Sequence, residues 1–345
     1  YPFFLAGIRA SFGNNIFYVQ VAQAFLGALS CLIIYFIAQE VFNRKVANVA
    51  LLIMTFYYFL IEQCGIIYAE TLYIFFLSLS MLFFVKILKE PTEKKYYIFL
   101  GISFALLILT NCGLFFFLLF SVILITAKFK QKKVFANMLI MSVIFLLPIL
   151  AWTARNYVVF NEIVLLANKG GGFFYSSWTP PKGKIFGLKT QDEVTKAGEQ
   201  IESETERERF YYQKGWQVIR NNPKQACKLL VLKNLYFWSV FDWETLGSGT
   251  YNFSTAFILP FLIISPFFFK KNNLLYLSPF ILLVGYYILL ANVFMGLPRY
   301  RIHIEPFLII FAAYGAVSLY DKVRMKKYFV SLANNLLLQA RPNRI

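Results

Sequence analysis

Nine long runs of apolar residues constrain this chain more than any other feature of its sequence. A helix that crosses a membrane needs about 20 mostly apolar residues, and its backbone groups must find their hydrogen bonds within the segment. The predicted spans are residues 18–42, 46–60, 71–89, 96–110, 114–127, 134–152, 251–269, 274–294 and 302–320. The sequence therefore predicts an all-α fold, a polytopic transmembrane bundle of about nine helices.

The composition separates this chain from soluble proteins. Of its 345 residues, 59% are hydrophobic and 15% are charged, against about 45–50% and about 25% in soluble domains. The net charge of +17 would by itself suggest a nucleic acid partner. Cytoplasmic loops of membrane proteins also collect Lys and Arg, and this explains the charge more simply. We therefore expect an integral membrane protein that contacts membrane lipid and no nucleic acid.

The distribution of basic residues predicts the topology. If the span 18–42 runs inwards, the cytoplasmic connections and the tail from Asp321 hold 18 of the 34 Lys and Arg residues. The short connections on the opposite side hold only Arg299 and Arg301. Short loops rich in Lys and Arg stay in the cytoplasm. The C-terminus is therefore predicted to be cytoplasmic, and the long segment 153–250 extracytoplasmic.

The predicted spans divide the chain into an N-terminal bundle (1–152), an extracytoplasmic loop or cap (153–250), the last spanning helices (251–320) and a basic cytoplasmic tail (321–345). In the cap, the glycines at 170–172 and the Thr-Pro-Pro run at 179–181 are typical of turns, and residues 191–220 favour helix. Residues 223–238 predict an amphipathic helix, of a kind that often lies in the membrane interface. Its apolar face consists of Cys227, Leu230, Val231, Leu235 and Trp238.

Ionisable residues at the outer ends of the predicted spans are candidates for function, because charges at membrane depth are costly. Glu70 begins a span and is a candidate catalytic base, acceptor-orienting group or metal ligand. Its alternative role is that of an acid favoured by the positive end of a helix. Arg155 and Asn156 follow Trp152 at the membrane edge. They are candidates for binding phosphate or sugar, or alternatively an interfacial anchor.

The segment PRYRIHIEP at 298–306 is the densest polar cluster near the membrane. Arg299, Tyr300, Arg301 and His303 are predicted to bind an anionic substrate, because two arginines here lie on an outer face that is poor in cations. The alternative is a helix start anchored by arginines that reach to the interface. His303 is the only histidine, which makes a Ser-His-Asp triad improbable.

Several familiar motifs are missing from the sequence. It has no GxSxG, no HExxH and no P-loop, which argues against a serine hydrolase, a zinc protease and an ATPase. No metal or cofactor is assigned from the sequence, and a divalent metal ion stays an open alternative.

Four stretches of the chain carry a resemblance to a known family. They are YPFFLAG at 1–7 with FG at 12–13, the helix and basic turn at 23–44, WTARNY at 152–157 with NKGGG at 168–172, and the Arg-Tyr…Pro run at 298–306. In their order and their position in the topology they resemble the GT-C membrane glycosyltransferases, in the branch of protein O-mannosyltransferases and lipid A aminoarabinose transferases.

The resemblance implies an enzyme that moves a sugar from a polyprenyl-phosphate donor to a protein or to an envelope lipid or glycan at the extracytoplasmic face. Arg155, Arg299 and Arg301 would stabilise the charge that develops on the leaving phosphate. The family's catalytic acid lies in a first outer loop, which is expected before Tyr1. Residues 1–345 alone are therefore expected to be inactive, with Glu70 as the next candidate acid.

Two other functions are compatible with the sequence. A transporter or flippase of a lipid-linked or polysaccharide substrate would show repeats and polar groups at the bilayer midplane, whereas the polar groups here lie at the outer face. A non-catalytic membrane scaffold is the third possibility. The Lys-, Ile- and Phe-rich composition favours a prokaryotic plasma membrane as the location.

Overall fold

A computed structural model describes residues 1–167, 170–179, 192–240, 251–294 and 296–339. Within these ranges the chain forms α-helices and short 3-10 turns, and no strand occurs. The helices are α1 (Pro2–Phe12), α2 (Ile16–Val41), α3 (Arg44–Thr55), α4 (Tyr58–Gly65), α5 (Glu70–Lys89), α6 (Lys94–Thr110), α7 (Phe117–Lys128), α8 (Lys132–Phe160), α9 (Gly170–Trp178), α10 (Glu193–Glu199), α11 (Glu204–Asn221), α12 (Pro223–Phe237), α13 (Tyr251–Ile264), α14 (Leu274–Val293), α15 (Pro298–Arg301) and α16 (Glu305–Gln339).

The helices confirm the predicted all-α membrane bundle. Among the described residues, α2, α5, α8, α14 and the first part of α16 are each long and apolar enough to cross a membrane. Together, α3 and α4 count as a sixth span if the pair, which is bent by 51° at its break, is taken as one segment. The predicted runs on α6, α7 and α13 are also helical but shorter. The nine predicted spans thus correspond to five or six full-length spans and three shorter apolar helices.

One apolar core joins most of the bundle helices. It contains fully enclosed side chains from distant parts of the sequence, among them Ile34, Leu77, Met141 and Ile309. A smaller core lies in the cap, where Phe174 and Trp178 of α9 pack with Leu229 and Tyr236 of α12. Leu297 belongs to the same core and Phe294, at the end of α14, packs against it, so the cap is held to the bundle by apolar packing as well as by chain connections.

Charged helix ends form two separate sets of ion pairs. At the end of α2, Glu40 pairs with Lys86 and, at 2.7 Å, with Lys89 of α5. Lys45 lies 3.6 Å from Asp321. All of these residues belong to the predicted cytoplasmic side, whereas Glu70 and Arg299, which also pair, belong to the predicted outer side.

The helix α8 is longer than predicted. The apolar run ends at Trp152, but the helix continues to Phe160 and stops at Asn161, whose φ of 53° lies in the left-handed region that Asn tolerates. The chain then turns back along the helix, and the Trp152 ring nitrogen donates to the Leu166 carbonyl at 3.2 Å. Arg155 and Asn156 are therefore helical residues and do not begin a loop.

The cap differs from its prediction in two places. The glycines at 170–172 were predicted as turns, but they form the first turn of α9, where Glu208 accepts a hydrogen bond from the Gly171 amide. The predicted helical stretch 191–220 is divided into α10 and α11, and the Ser203 hydroxyl caps the second helix by accepting from Glu206 N at 3.3 Å. The predicted amphipathic helix is α12. The Thr-Pro-Pro turn extends outside the described residues.

Candidate functional site

Two of the predicted site residues meet at the outer end of the bundle. Glu70 is the first residue of α5, where a carboxylate is favoured by the positive end of the helix. Arg299 lies on the short helix α15, and its Nη2 and Nε donate to Oε1 of Glu70 at 2.6 and 3.2 Å. These residues are 229 positions apart in sequence, so only the packing of α5 against the end of the bundle brings them together.

In the Glu70–Arg299 pair, the arginine is exposed to solvent and the glutamate is largely covered. The Arg299 side chain is 50% exposed, whereas Glu70 is only 13% exposed. The guanidinium also lies over the ring of Tyr68, 4.5 Å from its centroid. Among the described residues, Nη1 of Arg299 donates no hydrogen bond. The pair therefore presents an oriented cation that is half exposed and whose Nη1 hydrogens have no acceptor within the described ranges.

The electrostatic surroundings keep Arg299 charged. Burial of part of the side chain disfavours the cation, but the hydrogen bond and the charge of Glu70 outweigh this effect and raise the pKa of Arg299. Arginine is already protonated at every physiological pH. The two hydrogen bonds to Glu70 therefore fix the orientation of the guanidinium and do not decide its protonation.

A pair of glutamines on α2 holds the turn that precedes Glu70. Gln23 is fully buried, and its Nε2 donates to the Ile66 and Cys64 carbonyls at 2.7 and 3.0 Å. Gln20 donates to the Gly65 carbonyl at 2.8 Å. Sequence reasoning missed both residues, although amides within an apolar span are a signal that they satisfy buried backbone groups.

Arg301 lies two residues from Arg299 but is enclosed by protein. Its side chain is 2% exposed and donates to Glu305 Oε1 at 2.9 Å and to Thr255 Oγ1 at 3.0 Å. Nη1 donates to the carbonyls of Phe237 and Ser239 at 2.8 and 3.1 Å. Every nitrogen of this guanidinium is used, so Arg301 does not present a donor to a substrate phosphate. We assign it to the packing of the bundle.

The same buried cluster includes the break between α3 and α4. The Tyr57 hydroxyl lies at that break and donates to Glu305, and it is 3.1 Å from Thr255 Oγ1. The cluster of Tyr57, Thr255, Arg301 and Glu305 thus ties the bent span to α13 and to the start of α16.

His303 and Tyr300 also lie inside the protein. The His303 ring is buried, with ring centroids at 4.4 Å from Tyr73 and 5.8 Å from Tyr287. Tyr300 is half-buried and packs against both apolar cores. Both side chains are thus packed against the protein, unlike the more exposed Arg299.

Arg155 and Asn156 occupy a separate position on α8. Arg155 is exposed and lies over the Trp152 ring, 5.2 Å from the centroid. Asn156 is buried and donates to the Val164 carbonyl at 3.0 Å, which fastens the returning segment to the helix. Among the described residues, neither shares a partner with Arg299.

Lys233 on α12 is a buried cation that sequence reasoning missed. Its Nζ donates to Ser177 Oγ at 3.1 Å and to the Asn292 carbonyl at 3.0 Å, and it lies 3.7 Å from the centroid of the Trp178 ring. No Asp or Glu of the described ranges pairs with it. Burial lowers the pKa of Lys233 to about 7. The sequence signal for its burial is its position four residues after Leu229, which places both side chains on the same face of α12.

Metal binding gains no support from the described residues. They contain no group of three or more His, Cys, Asp or Glu side chains arranged to hold an ion. Glu70, the predicted candidate ligand, has Arg299 as its partner.

Comparison with known proteins identifies a family for the first part of the chain. The family model described as dolichyl-phosphate-mannose-protein mannosyltransferase matches residues 1–152. No curated protein and no solved structure matches the chain. The matched region contains Glu70 and the glutamine pair, whereas Arg299 lies beyond it. Over residues 1–152 this chain is therefore similar to the dolichyl-phosphate-mannose-protein mannosyltransferases, in agreement with the resemblance to membrane glycosyltransferases.

Proposed function

We propose that this protein is a membrane glycosyltransferase that moves a sugar from a polyprenyl-phosphate carrier to a protein, or to an envelope lipid or glycan, at the extracytoplasmic face. The family match over residues 1–152 is the observation that carries the proposal. Its description names dolichyl phosphate mannose, which is a sugar linked to a polyprenol phosphate, and a protein to which mannose is transferred.

The Glu70–Arg299 pair supports a role in binding the donor. When the sugar leaves its carrier, negative charge develops on the phosphate, and a fixed cation stabilises that charge. A guanidinium fits phosphate oxygens through parallel N–H groups. Arg299 offers such groups on its exposed side while Glu70 holds its other side. We assign Arg299 to the donor phosphate and Glu70 to the orientation of Arg299.

The position of the pair also suits a lipid-linked donor. Glu70 begins a membrane span, and Arg299 lies just before the last one. A polyprenyl chain can therefore stay in the bilayer while its phosphate reaches the guanidinium at the membrane surface. Arg155, which is exposed near the end of α8, is a second candidate for contact with the sugar or phosphate.

The proposed reaction can be tested with the full-length gene. Glycans on protein and on envelope lipid should be compared by mass spectrometry in strains with the gene, without it, and with Arg299→Ala. Arg220→Ala is the matched control, because Arg220 is exposed at the end of α11. One class of glycan should disappear without the gene and with Arg299→Ala, and persist with Arg220→Ala. Unchanged glycans after deletion would contradict the proposed function.

The extracytoplasmic face can be tested by labelling intact cells. The exposed Cys112 and Cys227 are first replaced by Ser, and single cysteines are then introduced at Arg209 and Lys130, both of which are exposed. An impermeant maleimide should label the Arg209→Cys protein in intact cells and the Lys130→Cys protein only after permeabilisation. The reverse pattern would show that the active face is cytoplasmic.

A further inference from the structure

The helix α12 has two different faces. Ala226, Leu229, Tyr236 and Phe237 are buried against the protein. On the opposite side, Val231 is 60% and Leu235 is 65% exposed, and Cys227 and Leu230 are exposed beside them. The apolar face predicted from the sequence is therefore mostly left uncovered by the described residues, although water would make this exposure unfavourable.

The exposed face changes from basic to apolar along the helix. Lys224 and Lys228 lie one turn apart at its beginning and are exposed, whereas Val231 and Leu235 follow on the same side. From residue 224 to 235 the helix rises by about 16 Å. No Asp or Glu occurs between residues 223 and 240. The face thus combines an apolar half with a cationic half that has no compensating acid.

The apolar half of α12 lies against the outer end of a membrane span. The Asn234 amide donates to Asn292 Oδ1 at 2.6 Å, and Lys233 donates to the Asn292 carbonyl. Asn292 belongs to the last turn of α14, whose Leu289 and Val293 are themselves exposed. The exposed surface of α12 is therefore adjacent to the part of the bundle that faces lipid.

We propose that α12 is a lipid-binding helix, with Val231 and Leu235 inserted at the boundary of the acyl chains and Lys224 and Lys228 bound to anionic headgroups. A helix with one apolar face and flanking lysines gains from both contacts. A bilayer fits better than a protein partner, because the same bilayer already surrounds the adjoining α14. Because α12 also contacts α15, which carries Arg299, the position of Arg299 would depend on the lipid composition.

The test uses the full-length protein in vesicles of phosphatidylcholine, with and without phosphatidylglycerol. An environment-sensitive fluorophore is attached at Val231→Cys, at Leu235→Cys, or at the control site Gln217→Cys on α11, after replacement of Cys112 and Cys227 by Ser. Gln217 is exposed on α11, outside the helix that is proposed to bind lipid. Probes at 231 and 235 should be quenched by brominated acyl chains and shielded from aqueous iodide. The probe at 217 should show the opposite pattern.

Three results would overturn the proposal or a part of it. Free access of iodide to both the 231 and 235 probes would show that the face is in water. Shielding from iodide without quenching by brominated chains would show that protein, such as a second copy of the chain, covers the face. Phosphatidylglycerol should increase the shielding of the probes at 231 and 235 from iodide, and the Lys224→Gln/Lys228→Gln variant should lose this increase. If the increase is unchanged in the variant, the two lysines do not bind anionic headgroups. These readouts do not depend on glycosyltransferase activity.

Discussion

Two arginine–glutamate pairs lie in one short stretch of this protein and have opposite surroundings. Arg299 meets Glu70 at the surface, with half of its side chain exposed and Nη1 donating to none of the described residues. Arg301 meets Glu305 in the interior, where both side chains are almost completely enclosed and every guanidinium nitrogen has a partner. The two arginines carry the same charge and are separated by a single residue.

The comparison shows how one chemical group serves two purposes. An exposed pair contributes little to stability, because water screens it, but its cation can bind an incoming anion. A buried pair cannot exchange its partners without leaving an unpaired charge in a medium of low polarity. The outer pair therefore suits substrate binding, and the inner pair suits the fixation of the helices that position it.

The largest effect is expected from breaking the inner pair. Arg301→Met should lower the free energy of unfolding by about 3–5 kcal/mol, because Glu305 is left buried without its cation. Arg299→Met should lower it by at most about 1 kcal/mol. Denaturation in detergent micelles measures both. Arg301→Met/Glu305→Gln should recover much of the loss, and an equal loss in the Arg299 and Arg301 variants would contradict the comparison.

Breaking the outer pair should affect activity instead. Arg299→Ala removes charge-assisted hydrogen bonds to the donor phosphate, each of which contributes about 1.5–3 kcal/mol. The rate of sugar transfer should therefore fall by about 10–100-fold, with the thermal stability unchanged. Arg299→Lys keeps the charge without the planar fork and should retain partial activity. Turnover of a polyprenyl-phosphate sugar by the full-length protein is the measurement, and full activity in Arg299→Ala would favour the membrane-anchor role.

Lys233 can be compared with Arg301, because it is also buried but pairs with no carboxylate among the described residues. Its folded pKa is about 7, and the pKa of an unfolded lysine is about 10.4. Between these values the unfolded chain binds more protons, so stability should rise with pH, by up to about 1.4 kcal/mol per pH unit. Unfolding of wild type and Lys233→Met from pH 7 to 9 tests this. The slope should decrease in Lys233→Met and persist in Lys228→Met, which changes an exposed lysine of the same helix.

The smallest effect is expected at Glu70. Glu70→Gln keeps an oxygen that accepts from Arg299 but removes the charge, a change of about 1 kcal/mol and so of about fivefold in rate. Glu70→Ala should reduce the rate further, because Arg299 loses its orientation. A loss of about 10²–10⁴-fold in Glu70→Gln, with donor affinity unchanged, would assign Glu70 to proton transfer and would contradict its assignment as an orienting group.

The fold and the site were not equally predictable from the sequence. The spans at α2, α5 and α14 agree with their apolar runs within two residues at either end. The end of α8 was missed because residues 153–160 are helical without being uniformly apolar, and the glycines at 170–172 became helical through a contact with Glu208 from another element. Local composition is sufficient to predict a helix that lies in lipid. It is not sufficient where a side chain from a distant element accepts a hydrogen bond from a backbone amide, as Glu208 does for Gly171.

The sequence by itself determined the class of protein, because it contains apolar runs long enough to cross a bilayer and a polar segment between them. These properties depend on local composition, because a segment enters the bilayer according to its own length, hydrophobicity and flanking charges. Only the tertiary structure decided which arginine is available. Arg299 and Arg301 look alike in sequence, but Phe237, Thr255 and Glu305 enclose one of them while Glu70 holds the other at the surface. Exposure depends on segments that are distant in the chain, and for that reason no local pattern could separate the two.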